Sequence, residues 1–176
     1  MPAGAAGPDS FEEFFESNKV RVMRAVVVAT GGSPESEDYC AEAFARAFER
    51  WSTLSNHPSQ AAWVVRTAVN VHIDQTRRAH RQRKFASRLG SREAVDPVDP
   101  IDPALVRVLA ALPERQREVL AFRIILDMTG PEVAEALDLN VGTVATHLHR
   151  ALATVREALE DPVGRPADFV VERNGQ

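Results

Sequence analysis

Between Val95 and Ala104 the chain reads Asp96-Pro97, Asp99-Pro100 and Asp102-Pro103, an Asp-Pro pair at every third position. Proline has no amide hydrogen and drives the residue before it into extended backbone, so no helix can run through this stretch. The acids at the same spacing make it a stiff, extended, acidic linker. The 176 residues are thereby cut in two. The expected organisation is a tail over 1–10, a first domain over 11–86, a linker over 87–103, a second domain over 104–160 and a tail over 161–176.

Both domains read as helical. Apolar residues make up 44% of the chain but aromatics only 6%, so Ala, Val and Leu carry the core, which favours helix packing over a β-sandwich. No alternating strand pattern occurs, and the expected fold class is all-α. The first helix starts at Phe11 and runs to about Ala29, with Phe11, Phe14, Phe15, Val22, Val26 and Val27 as its apolar residues. Thr30-Gly31-Gly32-Ser33-Pro34 breaks it. Ser33 and Pro34 form a cap and first-turn pair for a second helix. Its apolar stripe is Cys40, Ala43, Phe44, Ala47, Phe48 and Trp51, and Glu37, Asp38, Glu42 and Glu49 lie opposite. Residues 52–59 read as a loop, and a long helix follows from near Gln60. The second domain reads as four helices, over 104–112, 113–126, 130–137 and 141–160. Thr129 and Glu132 have the spacing of a capping box, and Asn140 is placed to cap the last helix.

Charge is distributed unevenly. The net charge is −4, yet Arg66, Arg77, Arg78, Arg81, Arg83, Lys84, Arg88 and Arg92 face only Asp74 within their stretch. A concentrated basic strip on an acidic protein can bind a polyanion locally. On a helix, Arg66, Asn70, Asp74, Arg77 and Arg81 share one face. Arg side chains there suit phosphates, while the Asn70 amide can read a base edge. Asp74 is expected to pair with Arg77 or Arg78. Cys40 is alone, so no internal disulfide can form, which suits a reducing cytoplasm and a buried thiol. No apolar run reaches the ~20 residues that span a bilayer, and no secretion signal opens the chain. His147 and His149 are two apart, the wrong spacing for chelation on a helix, so no metal is expected. No Gly-rich phosphate loop, no nucleophile with a paired base and no cofactor site is apparent, so the chain does not read as an enzyme.

Residues 130–150 have the outline of a helix-turn-helix. Val133, Leu137, Leu139, Val144 and Leu148 form its expected core, and the stripe continues through Leu152, Val155 and Leu159. Thr143, Thr146, His147 and Arg150 would face a major groove. Periodicity alone allows an ordinary solvated helix face equally well.

The resemblance is more specific. Ala111-Leu112-Pro113-Glu114-Arg115-Gln116-Arg117-Glu118-Val119-Leu120, Pro131-Glu132-Val133-Ala134, Val141-Gly142-Thr143-Val144 and Leu148-His149-Arg150-Ala151 resemble region 4 of the sigma-70 family. Asp38 to Phe44 resembles region 2.2, with Ala41 where Gln is usual. Trp63, Ala68, Asn70, Asp74, Arg77 and Arg78 stand at the landmarks of regions 2.3 and 2.4. The chain is identified as similar to the small extracytoplasmic-function (ECF) type of RNA polymerase sigma factor. That resemblance implies a cytoplasmic, non-enzymatic subunit that binds core polymerase through the β′ clamp helices and the β flap, and binds promoter DNA. Asp38 and Glu42 would dock on the clamp. Leu54, Arg66, Asn70, Arg77, Arg78 and Arg81 would serve the −10 element, with Leu54 and Asn70 lining one pocket for a flipped base. Thr143, Ala145, Thr146, His147 and Arg150 would serve the −35 element. Ala145 and His147 replace residues that are often basic, so −35 binding is expected to be weak alone. Asp96, Asp99 and Asp102 could imitate RNA phosphates. An anti-sigma partner is left open, as are the promoter and the inducing signal. The rival readings are a stand-alone helix-turn-helix regulator and a helical interaction module.

Overall fold

The computed structural model describes residues 10–83 and 102–160. The helices are α1 (Phe11–Thr30), α2 (Ser36–Glu49), the single turn α3 (Trp51–Leu54), α4 (Gln60–Arg83), α5 (Pro103–Ala111), α6 (Glu114–Leu120), α7 (Gly130–Leu137) and α8 (Val141–Glu160). A π-helical turn, Ala121–Ile125, prolongs α6. No strand occurs among the described residues, and none of their helices is long and apolar enough to cross a membrane. The fold is all-α.

In the first unit α2 and α4 pack on α1. Phe14, 1% exposed, sits at the centre, its ring stacked on Trp51 at 5.1 Å and tilted against Phe44 at 6.1 Å. Such pairs add roughly 0.5–1.5 kcal/mol each beyond the area they bury. Val22, Val26, Val64, Val65 and Ala68 complete the core. The expected apolar stripe of α2 ends early: Phe48 is 65% exposed, with its ring edge on Phe11. Cys40 lies buried on the same helix, and desolvation pushes its thiol up to about 12.

The α1–α2 corner departs from the expected cap. Ser33 and Pro34 lie in a turn, and α2 begins at Ser36 with no side-chain cap on it. The Ser33 hydroxyl instead donates to Glu35 at 2.8 Å, while the Ser36 hydroxyl donates to the Ser33 carbonyl at 2.6 Å. Thr30 is buried and donates to the Val26 carbonyl at 2.8 Å, and its hydroxyl meets that of Ser36 at 2.9 Å. These bonds satisfy polar groups that water cannot reach. Gly31 and Gly32 turn the corner at φ +70° and +73°, a left-handed path that side chains disfavour.

In the second unit the caps set the boundaries. Asp102 accepts from the Ala104 amide at 2.8 Å and starts α5, so the last Asp-Pro pair is a helix start and not extended linker. Asp96 and Asp99 lie outside the described residues. Thr129 and Glu132 form a full capping box on α7. Asn140 caps α8 by accepting from the Thr143 amide at 2.7 Å. Asp138 makes the turn between α7 and α8 at φ 55°, a conformation that Asp tolerates better than most residues. The predicted helix over 113–126 is divided, because its last turn widens to π geometry. Val133, Leu137 and Val144 are buried and Leu139 and Leu148 half-buried, as the helix-turn-helix requires. Further along, the stripe surfaces: Leu152 is 38% and Leu159 62% exposed.

The two units share one apolar cluster. The helix α1 packs on α6 and on the π turn, and α4 meets α7. Arg117 fixes the junction. Its Nε donates to the Ala29 carbonyl at 3.2 Å and a terminal nitrogen donates to the Leu112 carbonyl at 2.6 Å.

Candidate nucleic-acid interface

The helix α4 owes its two faces to sequence spacing. Ala61, Ala62, Val64, Val65, Ala68, Val69 and Val71 are buried at steps of three and four. Arg66, Asn70, Asp74, Arg77, Arg78 and Arg81 therefore emerge on the outside, and all are exposed. Asp74 forms no ion pair with Arg77 or Arg78, contrary to expectation; all three stay solvated, where such a pair is worth little. The ridge thus presents its cations to solvent.

Leu54 and Asn70 were expected in one pocket, and the structure separates them. Leu54 is buried under a cleft of about 340 Å³ lined also by Arg50, Thr53, Asn56, His57, Pro58 and Trp63. Asn70 lines a different cleft, described below. The expected loop over 52–59 is helical as far as Leu54. Trp63 supplies an aromatic wall to this pocket from α4. Helical side chains lean toward the N-terminus, so a residue in the first turn reaches back over the loop before it. That lean was the available signal.

The second cleft, about 460 Å³, opens between the units. Arg66, Val69, Asn70, Ile73, Asp74 and Arg77 line one side, and Arg115, Glu118, Phe122, Leu137 and Asp138 the other. Glu118 is 3% exposed and accepts from Arg115 at 2.8 Å. Burial raises its pKa, against the pull of Arg115 and Arg66. His72 lies at the same junction, with its ring 5.2 Å from that of Tyr39. Its burial and the nearby Arg117 lower its pKa, against the opposing pull of Glu114 and Glu35.

The start of α8 is less charged than α4. Ala145, Thr146 and Arg150 are exposed, but the Thr143 hydroxyl donates to Asn140 at 2.9 Å and that of Thr146 to the Gly142 carbonyl at 2.9 Å. His147 is half-buried, with its Nδ1 enclosed and without a hydrogen-bond partner among the described residues, so it is not fully on the exposed face. His149, two positions on, is exposed. On α2, Asp38 and Glu42 share an exposed face, and Glu42 pairs with Arg46 at 2.9 Å.

Comparison with known proteins bears on the family and the fold. Residues 14–82 match Sigma-70 region 2, and residues 103–155 match Sigma-70, region 4. The chain is 28% identical over 151 residues to RNA polymerase sigma-E factor of Streptomyces coelicolor, covering 85% of each chain. It is 25% identical to the ECF RNA polymerase sigma factor SigW of Bacillus subtilis, covering 87% of this chain and 90% of that one. Among solved structures, the sigma factor RpoE of Bartonella quintana, in complex with the anti-sigma factor NepR, aligns with a TM-score of 0.67 at 18% identity, over 88% of this chain and 99% of that one.

Proposed function

Because the chain belongs to the sigma-70 family, with the two regions of an ECF RNA polymerase sigma factor, we propose how its surfaces divide the work of promoter recognition. It directs core RNA polymerase to promoters, and the reading below assigns residues to each contact. Asp38 and Glu42 on α2 dock on the β′ clamp helices, which requires Glu42 to exchange Arg46 for a polymerase partner. Arg77, Arg78 and Arg81 hold phosphates of the separated −10 strand; Arg66 and Asn70 contact it nearer the second unit. Capturing a flipped base must offset a few kcal/mol of unstacking. The cleft over Leu54 suits that task, since Trp63 offers a ring to stack on. At the −35 element Thr143, Ala145, Thr146, His149 and Arg150 face the groove, and His147 contributes from its edge. The β flap holds this unit near its site, and tethering compensates for its few cations.

The observation that carries the reading is the exposed polar-cationic ridge of α4, on the same chain as a capped helix-turn-helix. We read the chain as a binding subunit and not an enzyme, acting in the cytoplasm beside its polymerase, with an anti-sigma factor as a further partner. A stand-alone regulator is not favoured, since it has no use for the first unit that matches region 2. The test is run-off transcription with core polymerase and genomic DNA of the source bacterium. Discrete starts that need the added chain are expected, together with co-purification of chain and core. Absence of both would sink the proposal.

A further inference from the structure

The cleft over Leu54, at about 340 Å³, accommodates one base. Its walls are held in place before any ligand arrives. The Gln60 side chain donates to the Ser55 carbonyl at 2.9 Å, and the His57 amide donates to the Leu54 carbonyl at 2.9 Å. A site fixed in this way loses little binding energy to the ordering of its loop. Trp63 can stack on any base, since every base has a π face, so its ring gives affinity without choice.

Choice must come from the polar side chains around it. The Ser59 amide donates to His57 Nδ1 at 3.0 Å. That nitrogen therefore carries no proton, the ring proton sits on Nε2, and His57 offers a ligand a donor. Arg50 is exposed, stands outside the described ion pairs, and has donors only. Thr53 and Asn56 can each donate or accept, so they follow whatever edge is presented. Among the described residues no carboxylate lines the cleft, so no side chain there is an acceptor alone.

We propose that Arg50 and His57 set the base preference of this cleft, which selects guanine or cytosine over adenine and thymine. Two donors need two acceptors side by side. Guanine presents them as O6 and N7, and cytosine as O2 and N3. Adenine places its amino group between N1 and N7, and thymine places an N–H between its two carbonyls, so each sets a donor against a donor. A donor left desolvated and unpaired costs more than an ordinary hydrogen bond contributes. The inference rests on the reading of this cleft as the seat of the flipped base.

The test uses the full chain bound to core polymerase and a labelled single-stranded oligonucleotide carrying the −10 region of a promoter mapped by run-off transcription. Abasic substitution at each position in turn locates the captured base, and Trp63→Ala should weaken binding of all four bases there alike. With each base placed at that position, guanine or cytosine is expected to bind about tenfold or more tighter than adenine or thymine. Arg50→Gln should turn the preference toward adenine, whose amino group and N7 match the Gln amide. No preference, a preference for adenine or thymine, or an Arg50→Gln chain that keeps the natural order overturns the proposal, even where Trp63→Ala acts as expected. His57→Phe keeps a ring and removes the donor. It should narrow the preference severalfold, and no narrowing counts against the role of His57. Binding that no abasic position weakens, with Trp63→Ala silent, removes the base-capture reading itself.

Discussion

The ridge of α4 and the start of α8 are both amphipathic, and both are proposed to meet DNA, but they are built differently. On α4 the exposed Arg77, Arg78 and Arg81 stand outside the described ion pairs, at helical spacing. On α8 the first hydroxyls already serve the helix itself, Thr143 through Asn140 and Thr146 through Gly142. Charge supplies affinity to a flexible strand wherever the strand meets it, while a capped helix end supplies position in a groove. The contrast predicts that the first unit dominates affinity and the second mainly sets register.

The largest effect should come from removing what holds the first unit's shape. Phe14→Ala, at a side chain 1% exposed, is expected to cost about 3–5 kcal/mol in chemical denaturation. A loss under 1 kcal/mol would mean that the aromatic cluster does not set the placement of α4. Next, Arg77→Ala, Arg78→Ala and Arg81→Ala together should weaken single-strand binding and flatten its salt dependence by about two units of log-log slope. Arg150→Ala should change only duplex binding at the upstream element, by about one unit of slope. Equal slopes for the two sets would erase the contrast between the units.

The smallest effect concerns pH. His72 has a lowered pKa in the folded chain, so the unfolded chain binds the proton more readily. Stability is then fully present above about 6.5 and falls as pH drops below it toward the folded value. Arg117, Glu114, Glu35 and Tyr39 surround this ring. His72→Gln should reduce the loss of stability between pH 6.5 and 5, measured by thermal unfolding at each pH. An unchanged profile would assign the loss to other groups.

Much of this was legible in the sequence, for identifiable reasons. The helices α7 and α8 were placed to the residue because Thr129, Glu132 and Asn140 cap them by local chemistry that spacing reveals. The outward face of α4 followed from its small, apolar inner residues. What spacing could not supply was tertiary. Ser33 looks like a helix cap but bonds Glu35, because the buried Thr30–Ser36 pair fixes the corner. Phe48 fits an apolar stripe, but among the described residues its ring meets Phe11 at the edge and stays 65% exposed. Spacing marks Trp63 only as a landmark, and its place over the Leu54 cleft depends on how α3 folds back. The cleft between the units depends on docking, which no local pattern encodes.

The burial of Cys40 has a practical corollary. Only the thiolate reacts, and with the Cys40 pKa pushed up to about 12 almost none exists at neutral pH. The protein should therefore ignore mild oxidants and maleimides while folded. Any cysteine placed on its surface becomes the sole site for a fluorophore or spin label, with no need to remove the native one.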